Sequence, residues 1–399
     1  MSIEIEAPRP AGADAVTQQL PVVVAAPDPA PVEAPAPAAP RPKRAGNRLY
    51  ILDLLRFLAA LAVLGYHFIP SSEGSWGPGG DTHVLGATVK AGLQYAYLGV
   101  EAFFVISGFV ICMSSWGRSL SQFFVSRVTR LMPAYIGAIL LTAAVVTLVP
   151  AGRDRPHLSH TLINLTMLQR FLHIPSVDSV DWTLFIELKF YMLFSIVVAF
   201  GVTYKRVVLF CVFWTIATLF SMYTGSAFLE GLFEPFYAPL FIAGITLYLI
   251  HRFGPDLLLW CMLGTSAAIA MTSLAQRDPT KRGITSYPVT VVILLAFLAI
   301  MVAVALGWFS WVRWPGLVTL GALTYPVYLL HHRIGLAFIG EFHEHVPFWL
   351  LFTTVVAGVL LLSYAVHHLF ERPVNKRLRD GLIRSFARIR AADERVIAR

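Results

Sequence analysis

The chain has 399 residues, of which 57% are hydrophobic and only 14% charged, and its mean hydropathy is +0.67. A soluble fold of this length must cover its surface with charged side chains, and this composition cannot do so. The net charge of +8 invites a nucleic-acid partner, but the basic residues stand beside the ends of apolar runs, which points to lipid headgroups and away from nucleic acid.

Residues 1–46 are rich in Pro, Ala and Val, with ten prolines before position 43. Such a segment cannot bury enough apolar surface to fold, so a disordered cytosolic tail is expected. It lacks the order of charge, apolar core and cleavage site of a signal peptide, and the expectation is that it is retained. Ten apolar runs follow, near 50–69, 94–114, 132–150, 182–203, 207–224, 232–250, 257–275, 287–307, 316–339 and 347–370. Spanning a bilayer takes about 20 apolar residues per helix. Lipid offers the backbone no hydrogen-bond partner, so each run must be helical. Cys112, Cys211 and Cys261 all lie inside these runs and suggest neither a disulfide framework nor a metal site.

The sequence therefore predicts an all-α, polytopic membrane bundle of about ten helices. With the N-terminus in the cytosol, the inner segments hold 20 Lys and Arg and the outer ones seven, which puts both termini inside. Arg277, Lys281 and Arg282, on an outer loop, run against that bias. Three parts are expected: the tail 1–46, a membrane domain 47–376, and a basic amphipathic cytosolic tail 377–399. In the last, Leu378, Leu382, Phe386 and Ile389 recur at helical spacing among arginines, as in a helix lying on a leaflet.

Ionisable residues within membrane helices are costly, so each one is a functional hypothesis. The first helix carries Asp53, Arg56 and His67. Eleven residues at roughly 100° each return Arg56 and His67 to nearly one face, about 16 Å apart along the axis. Arg56 could alternatively snorkel and pair with Asp53, and His67 could be a polar cap near the interface. Arg127 and Arg130, three residues apart before Pro133, form one cationic face suited to a phosphate-bearing ligand or, equally, to lipid headgroups. The loop 151–181 holds His160–Leu172, whose pattern fits a surface or re-entrant helix. Its Asn164-Leu165-Thr166 fits a glycosylation triplet, to which no role is given.

In the fourth helix Glu187 and Tyr191 share a face. Glu187 lies at a depth similar to His67, and a carboxylate beside an imidazole makes a general base. The alternative is a pairing of Glu187 with Lys189 or with a cation on another helix. The ninth run adds Tyr325, Tyr328, His331, His332 and Arg333. Tyr328 and His332 share a face, which directs His331 elsewhere and makes one of the two histidines structural. Cationic groups at one depth and a His with a carboxylate at another suit coenzyme A, whose phosphates and thioester lie at opposite ends of a long arm.

At these residues the chain resembles the acyltransferase type 3 family, from about 48 to 376. Tyr50 through Arg56 to Tyr66-His67-Phe68 is similar to the family's first-helix motif, an Arg and a His with ten residues between. Gly99-Val100-Glu101 to Gly108-Phe109 resembles its second-helix signature, with Glu101 where Asp is more common. Phe124–Pro133, Trp182-Thr183-Leu184 to Glu187 and Tyr191, Tyr325–His331 and Glu371-Arg372-Pro373 complete six blocks in the family's order. Lys189 is a departure.

The resemblance implies O-acylation of a carbohydrate or glycosylated acceptor by acyl-coenzyme A, usually acetyl, with no metal. Within it His67 would be the acid–base residue assisted by Glu187, while Arg56, Arg127 and Arg130 would hold the donor. Tyr66, Glu101, Trp182, Tyr191, Tyr325, Tyr328, His331 and His332 are acceptor or supporting candidates. Ser107, beside Gly108, reads as a helix-packing residue rather than a nucleophile. The expected setting is a bacterial plasma (inner) membrane, with membrane lipids as partners and homo-oligomerisation open. From another class, the same intramembrane His, Glu and Arg residues would serve a proton-coupled transporter or flippase.

Overall fold

The computed structural model describes residues 48–72, 74–77, 82–149, 155–277 and 284–397. The expected tail 1–46 lies outside the described residues, as do Lys281 and Arg282. In chain order the first helices are α1 (Tyr50–Phe68), α2 (Thr82–Leu93), α3 (Gly99–Ser115), α4 (Leu120–Leu148) and α5 (Leu158–Asn164). Then come α6 (Trp182–Ala199), α7 (Tyr204–Thr224), α8 (Ala227–Phe233), α9 (Ala238–Phe253) and α10 (Leu257–Leu274). The last are α11 (Tyr287–Ala305), α12 (Gly316–Leu330), α13 (His332–Phe342), α14 (Phe348–Ala365) and α15 (Arg372–Ile397). No strand occurs among the described residues.

Nine helical stretches are long and apolar enough to cross a bilayer, and the apolar α12 is shorter. Their surfaces confirm the solvent they are built for. On α7, Leu209, Phe213, Ile216 and Phe220 form an outward stripe, each more than half exposed, which water would penalise and lipid accepts. Between α11 and α12, Trp308, Trp311 and Trp314 all stand exposed, the position of an interfacial aromatic belt.

Helix α9 is apolar all round, and every residue from Ala238 to Ile250 is buried. It packs along α3 through two glycines. A side chain on Gly108 would run into the carbonyl of Phe241, and one on Gly244 into that of Val105. Small residues of this kind let membrane helices approach to backbone distance. Helix α1 lies against α3 and α12. Gly99 leaves room for the Ala59 carbonyl, and Gly321 for the Asp53 side chain.

Three expected boundaries change. The run expected at 132–150 starts twelve residues earlier. Ser119 and Gln122 close a reciprocal capping box that satisfies the first free N–H groups of α4. Arg127 and Arg130 therefore sit on a helix, and Pro133 lies within it. The run expected at 316–339 is divided at His331 into α12 and α13. The last run does not stop near 370: a π-helical segment, Val366–Glu371, joins α14 to α15. Helix α15 then packs on α4, with Phe386 edge-on to Phe124 at 6.1 Å.

Loop 155–181 is tied down rather than free. Asn164 is fully buried; its amide donates to the carbonyls of His160 and Pro175 and accepts from the Val177 N–H. The Tyr135 hydroxyl of α4 donates to the Asn164 carbonyl at 2.8 Å. The asparagine of the glycosylation triplet is thus a buried anchor at the end of α5.

Candidate active site

A cavity of about 1050 Å³ opens at the end of the bundle where α1 and α4 begin and α14 ends. Seven arginines line it: Arg48, Arg56, Arg118, Arg127, Arg130, Arg372 and Arg379, against three carboxylates, Asp53, Glu187 and Glu371. Asp53 is spent on Arg48 at 2.9 Å, so it is not the partner of Arg56. Glu371 pairs with His367 at 2.7 Å. Among the described residues no carboxylate forms an ion pair with Arg56, Arg127 or Arg130, and the buried Nε atoms of Arg56 and Arg127 have no hydrogen-bond partner. Arg127 is steadied by Ser114 and Ser126 through Nη2 and by the rings of Phe123 and Tyr191. Low-dielectric walls around surplus cations focus a positive field, which is the electrostatic form of an anion site.

Glu187 belongs to this cavity. It accepts hydrogen bonds from Ser107, at 3.1 Å, and from Tyr191. Ser107 therefore contributes a hydroxyl contact, while Gly108 next to it does the helix packing. Lys189 points the other way and pairs with Glu234, so Glu187 and Lys189 do not form a pair. Tyr325, also on the cavity wall, donates to the Leu131 carbonyl at 3.2 Å.

His67 lies at the other end of α1, among histidines. Its ring centroid is 4.4 Å from that of His332 and 5.3 Å from that of His331. Tyr66 packs edge-on beside it at 5.2 Å. Among the described residues the Nδ1 of His67 is buried without a hydrogen-bond partner. The expected meeting of His67 with Glu187 does not occur. The carboxylate that joins this cluster is Asp178, whose Oδ1 lies 2.8 Å from His332 Nδ1, with both side chains 2% exposed. The backbone N–H groups of Arg333 and Val180 also donate to Asp178. Burial alone would raise the Asp178 carboxyl; His332 and the Arg333 N–H outweigh it and hold the carboxyl below its ordinary value.

His331 keeps α-helical dihedrals, φ −70° and ψ −41°, so His331 and His332 leave the backbone about 100° apart, and both rings reach His67. His331 Nδ1 turns back on the carbonyls of Tyr328, at 2.7 Å, and Val327, at 3.2 Å. A carbonyl only accepts, so Nδ1 carries the proton and Nε2 presents a lone pair. By the same reasoning, a carboxylate on His332 Nδ1 fixes that proton and leaves Nε2 as an acceptor. Tyr328 shares its hydroxyl with Thr183 at 2.9 Å and lies 5.7 Å from His331.

Two other expected residues stand apart. Glu101, 3% exposed, is paired with Arg277 at 3.2 Å. Arg277 also covers the Tyr237 ring at 3.8 Å and donates to the Phe236 carbonyl. The cation that ran against the charge bias is thus a buried tie between helices. Trp182 stacks near Tyr237 and Phe104. Sequence reasoning missed Asp178, Arg118, Arg372 and Arg379. Asp178 had one local signal, an acidic residue just ahead of a helix start.

A bundle of lipid-facing helices with a cationic cavity at one end of α1 and a histidine cluster at the other defines a multi-pass membrane protein with an intramembrane site. A family model described as an acyltransferase domain matches residues 49–368, and the chain belongs to this family, acyltransferase type 3, of membrane acyltransferases. No curated protein and no solved structure matches the chain.

Proposed function

We propose that the protein moves a short acyl group, acetyl in the first instance, from acyl-coenzyme A to a hydroxyl of a carbohydrate or glycosylated acceptor. One observation carries the donor assignment: a seven-arginine cavity in which buried Arg56 and Arg127 nitrogens lack partners. A ligand with several phosphates would complete them through charge-assisted hydrogen bonds, each worth about 1.5–3 kcal/mol. Family membership favours transfer over the transport reading of the same residues.

In the proposed step the acceptor O–H gives its proton to the His67 imidazole as the oxygen attacks the thioester carbonyl. The resulting tetrahedral centre collapses with cleavage of the C–S bond. The imidazolium returns its proton to the departing sulfur, so the products are the ester and free coenzyme A. His332, oriented by Asp178, lies against His67 and fixes the place of its ring during the step. Glu187 supports the donor cavity instead. The bias of basic residues supports a reading with the cavity, and both termini, on the cytosolic side, in a bacterial plasma membrane.

The test uses purified protein in nanodiscs with acetyl-coenzyme A, followed by release of free thiol with a panel of glycosides as acceptors. Wild type should release thiol in an acceptor-dependent way. His67→Ala should lose it, by at least about 100-fold for a general base, while still binding acetyl-coenzyme A. Full activity in His67→Ala would overturn the assignment of the base, and absence of any coenzyme A binding would overturn that of the donor.

A further inference from the structure

A second, much smaller space of about 60 Å³ continues inward from the basic cavity. Arg56, Ser107, Arg130, Glu187 and Tyr325 line both, so the two meet at a polar ring. Past this ring the walls turn mostly apolar, with Val100, Phe103, Phe104, Leu131 and Leu184 beside the hydroxyls of Thr183 and Thr324. Phe104, Leu131 and Leu184 are 3–5% exposed. Phe104 is held in turn by Tyr237 and Phe241, at ring distances of 5.1 and 4.9 Å. The end wall is equally fixed. Phe103 stands edge-on to Tyr328 at 5.6 Å, and the Tyr328 hydroxyl is tied to Thr183 and to the Val180 carbonyl. Behind Tyr328 come His331 and then His67.

We propose that this space is an acyl chamber that sets the chain length of the transferred group, with Phe103 and Val100 as its limiting walls. The inference rests on the proposed acyl-coenzyme A donor and deepens it. Phosphates held by the arginines of the large cavity direct the pantetheine arm and its thioester toward the polar ring. The only apolar room ahead of the thioester, among the described residues lining the two spaces, is this chamber. A single water needs roughly 10–15 Å³ on such a scale, so the chamber holds about four to six non-hydrogen atoms, room for an acetyl or a butyryl group. A chain of about eight carbons meets packed rings that have no room to retreat, since protein interiors are close-packed. The chamber end abuts Tyr328, on the side that leads through His331 toward His67. A longer chain would be held back in the basic cavity.

The experiment measures dissociation constants of free coenzyme A and of acetyl-, butyryl- and octanoyl-coenzyme A for the full chain in nanodiscs, with empty nanodiscs as the control for partition into lipid. Wild type should bind octanoyl-coenzyme A at least about tenfold more weakly than acetyl-coenzyme A, the scale of methylene exclusion by a filled pocket. Phe103→Ala and Val100→Ala should each narrow that ratio at least about fivefold, and retained binding of free coenzyme A shows that each variant is folded. A wild-type ratio near one, or an unchanged ratio in both folded variants, overturns the chamber and leaves the donor reading standing. Failure of wild type to bind either free or acetyl-coenzyme A removes the donor reading, and the chamber with it.

Discussion

Asp178 makes its contribution by what it orients. It accepts from one imidazole and two backbone N–H groups while 1% exposed, so its charge is matched by donors already in place. Asp178→Asn keeps the shape and removes the charge, and one of its amide hydrogens would face a donor. Acyl transfer is expected to fall at least about tenfold in kcat, the scale of losing a residue that orients a reacting side chain, with acetyl-coenzyme A affinity little changed. A variant with wild-type kcat and an unaltered pH–rate profile would leave Asp178 a purely structural loop residue. The carboxyl also carries a stability prediction. Its value in the fold lies below its unfolded value, near 3.9. The contribution is therefore fully present above that pH and is lost as pH falls through the folded value. The stability difference between wild type and Asp178→Asn, followed by thermal unfolding, should shrink as pH falls below about 4.

At the scale of the helix, α3 and α9 meet without side chains between them. A methyl on Gly244 would meet the Val105 carbonyl and the Phe109 N–H, which are backbone atoms that cannot rotate away. Gly244→Ala should therefore force the two helices apart and destabilise the protein by about 1–3 kcal/mol, visible as a lower melting temperature in detergent. Gly264→Ala on α10 is the control, because nothing lies within 4 Å of the added atom. Equal melting temperatures for the two variants would show that the α3–α9 contact yields more easily than its geometry suggests. The junction of α12 and α13 is the other element-scale feature: His331 and His332, adjacent on it, both meet His67.

Taken whole, the molecule assembles its basic cavity from both ends of the described chain. Arg48 precedes α1, while Arg372 and Arg379 come from the start of α15, which folds against α4. Much of the field at the mouth is therefore supplied by the C-terminal helix. Arg379→Ala should weaken acetyl-coenzyme A binding by a few-fold, as befits an exposed charge. Arg127→Ala, whose side chain is 8% exposed, should weaken it roughly tenfold or more. Raising the salt from about 0.05 to about 0.5 M should erase the Arg379 effect before the Arg127 effect, because buried charges are screened less. Titration of both variants at the two salt concentrations checks this, and a salt response larger for Arg127 would reverse the assignment of mouth and interior.

The amino-acid pattern is enough to make this chain a bundle of membrane helices, because lipid leaves an apolar run no other way to satisfy its backbone. It also marked Arg56, His67, Arg127, Arg130 and Glu187, since ionisable groups rarely enter such runs without cause. The capping box at Ser119 and Gln122 was legible too, although the apolar run alone drew the α4 boundary at the wrong place. Tertiary structure decided which charges meet. Asp178 and His332 are 154 positions apart, and no periodicity links a loop carboxylate to a residue on a different helix. Depth along a helix suggested Glu187 as the partner of His67, but depth fixes only one coordinate of three. Face arithmetic sent His331 away from the site, and it failed because His67 lies close enough to meet both rings, although they leave the helix about 100° apart.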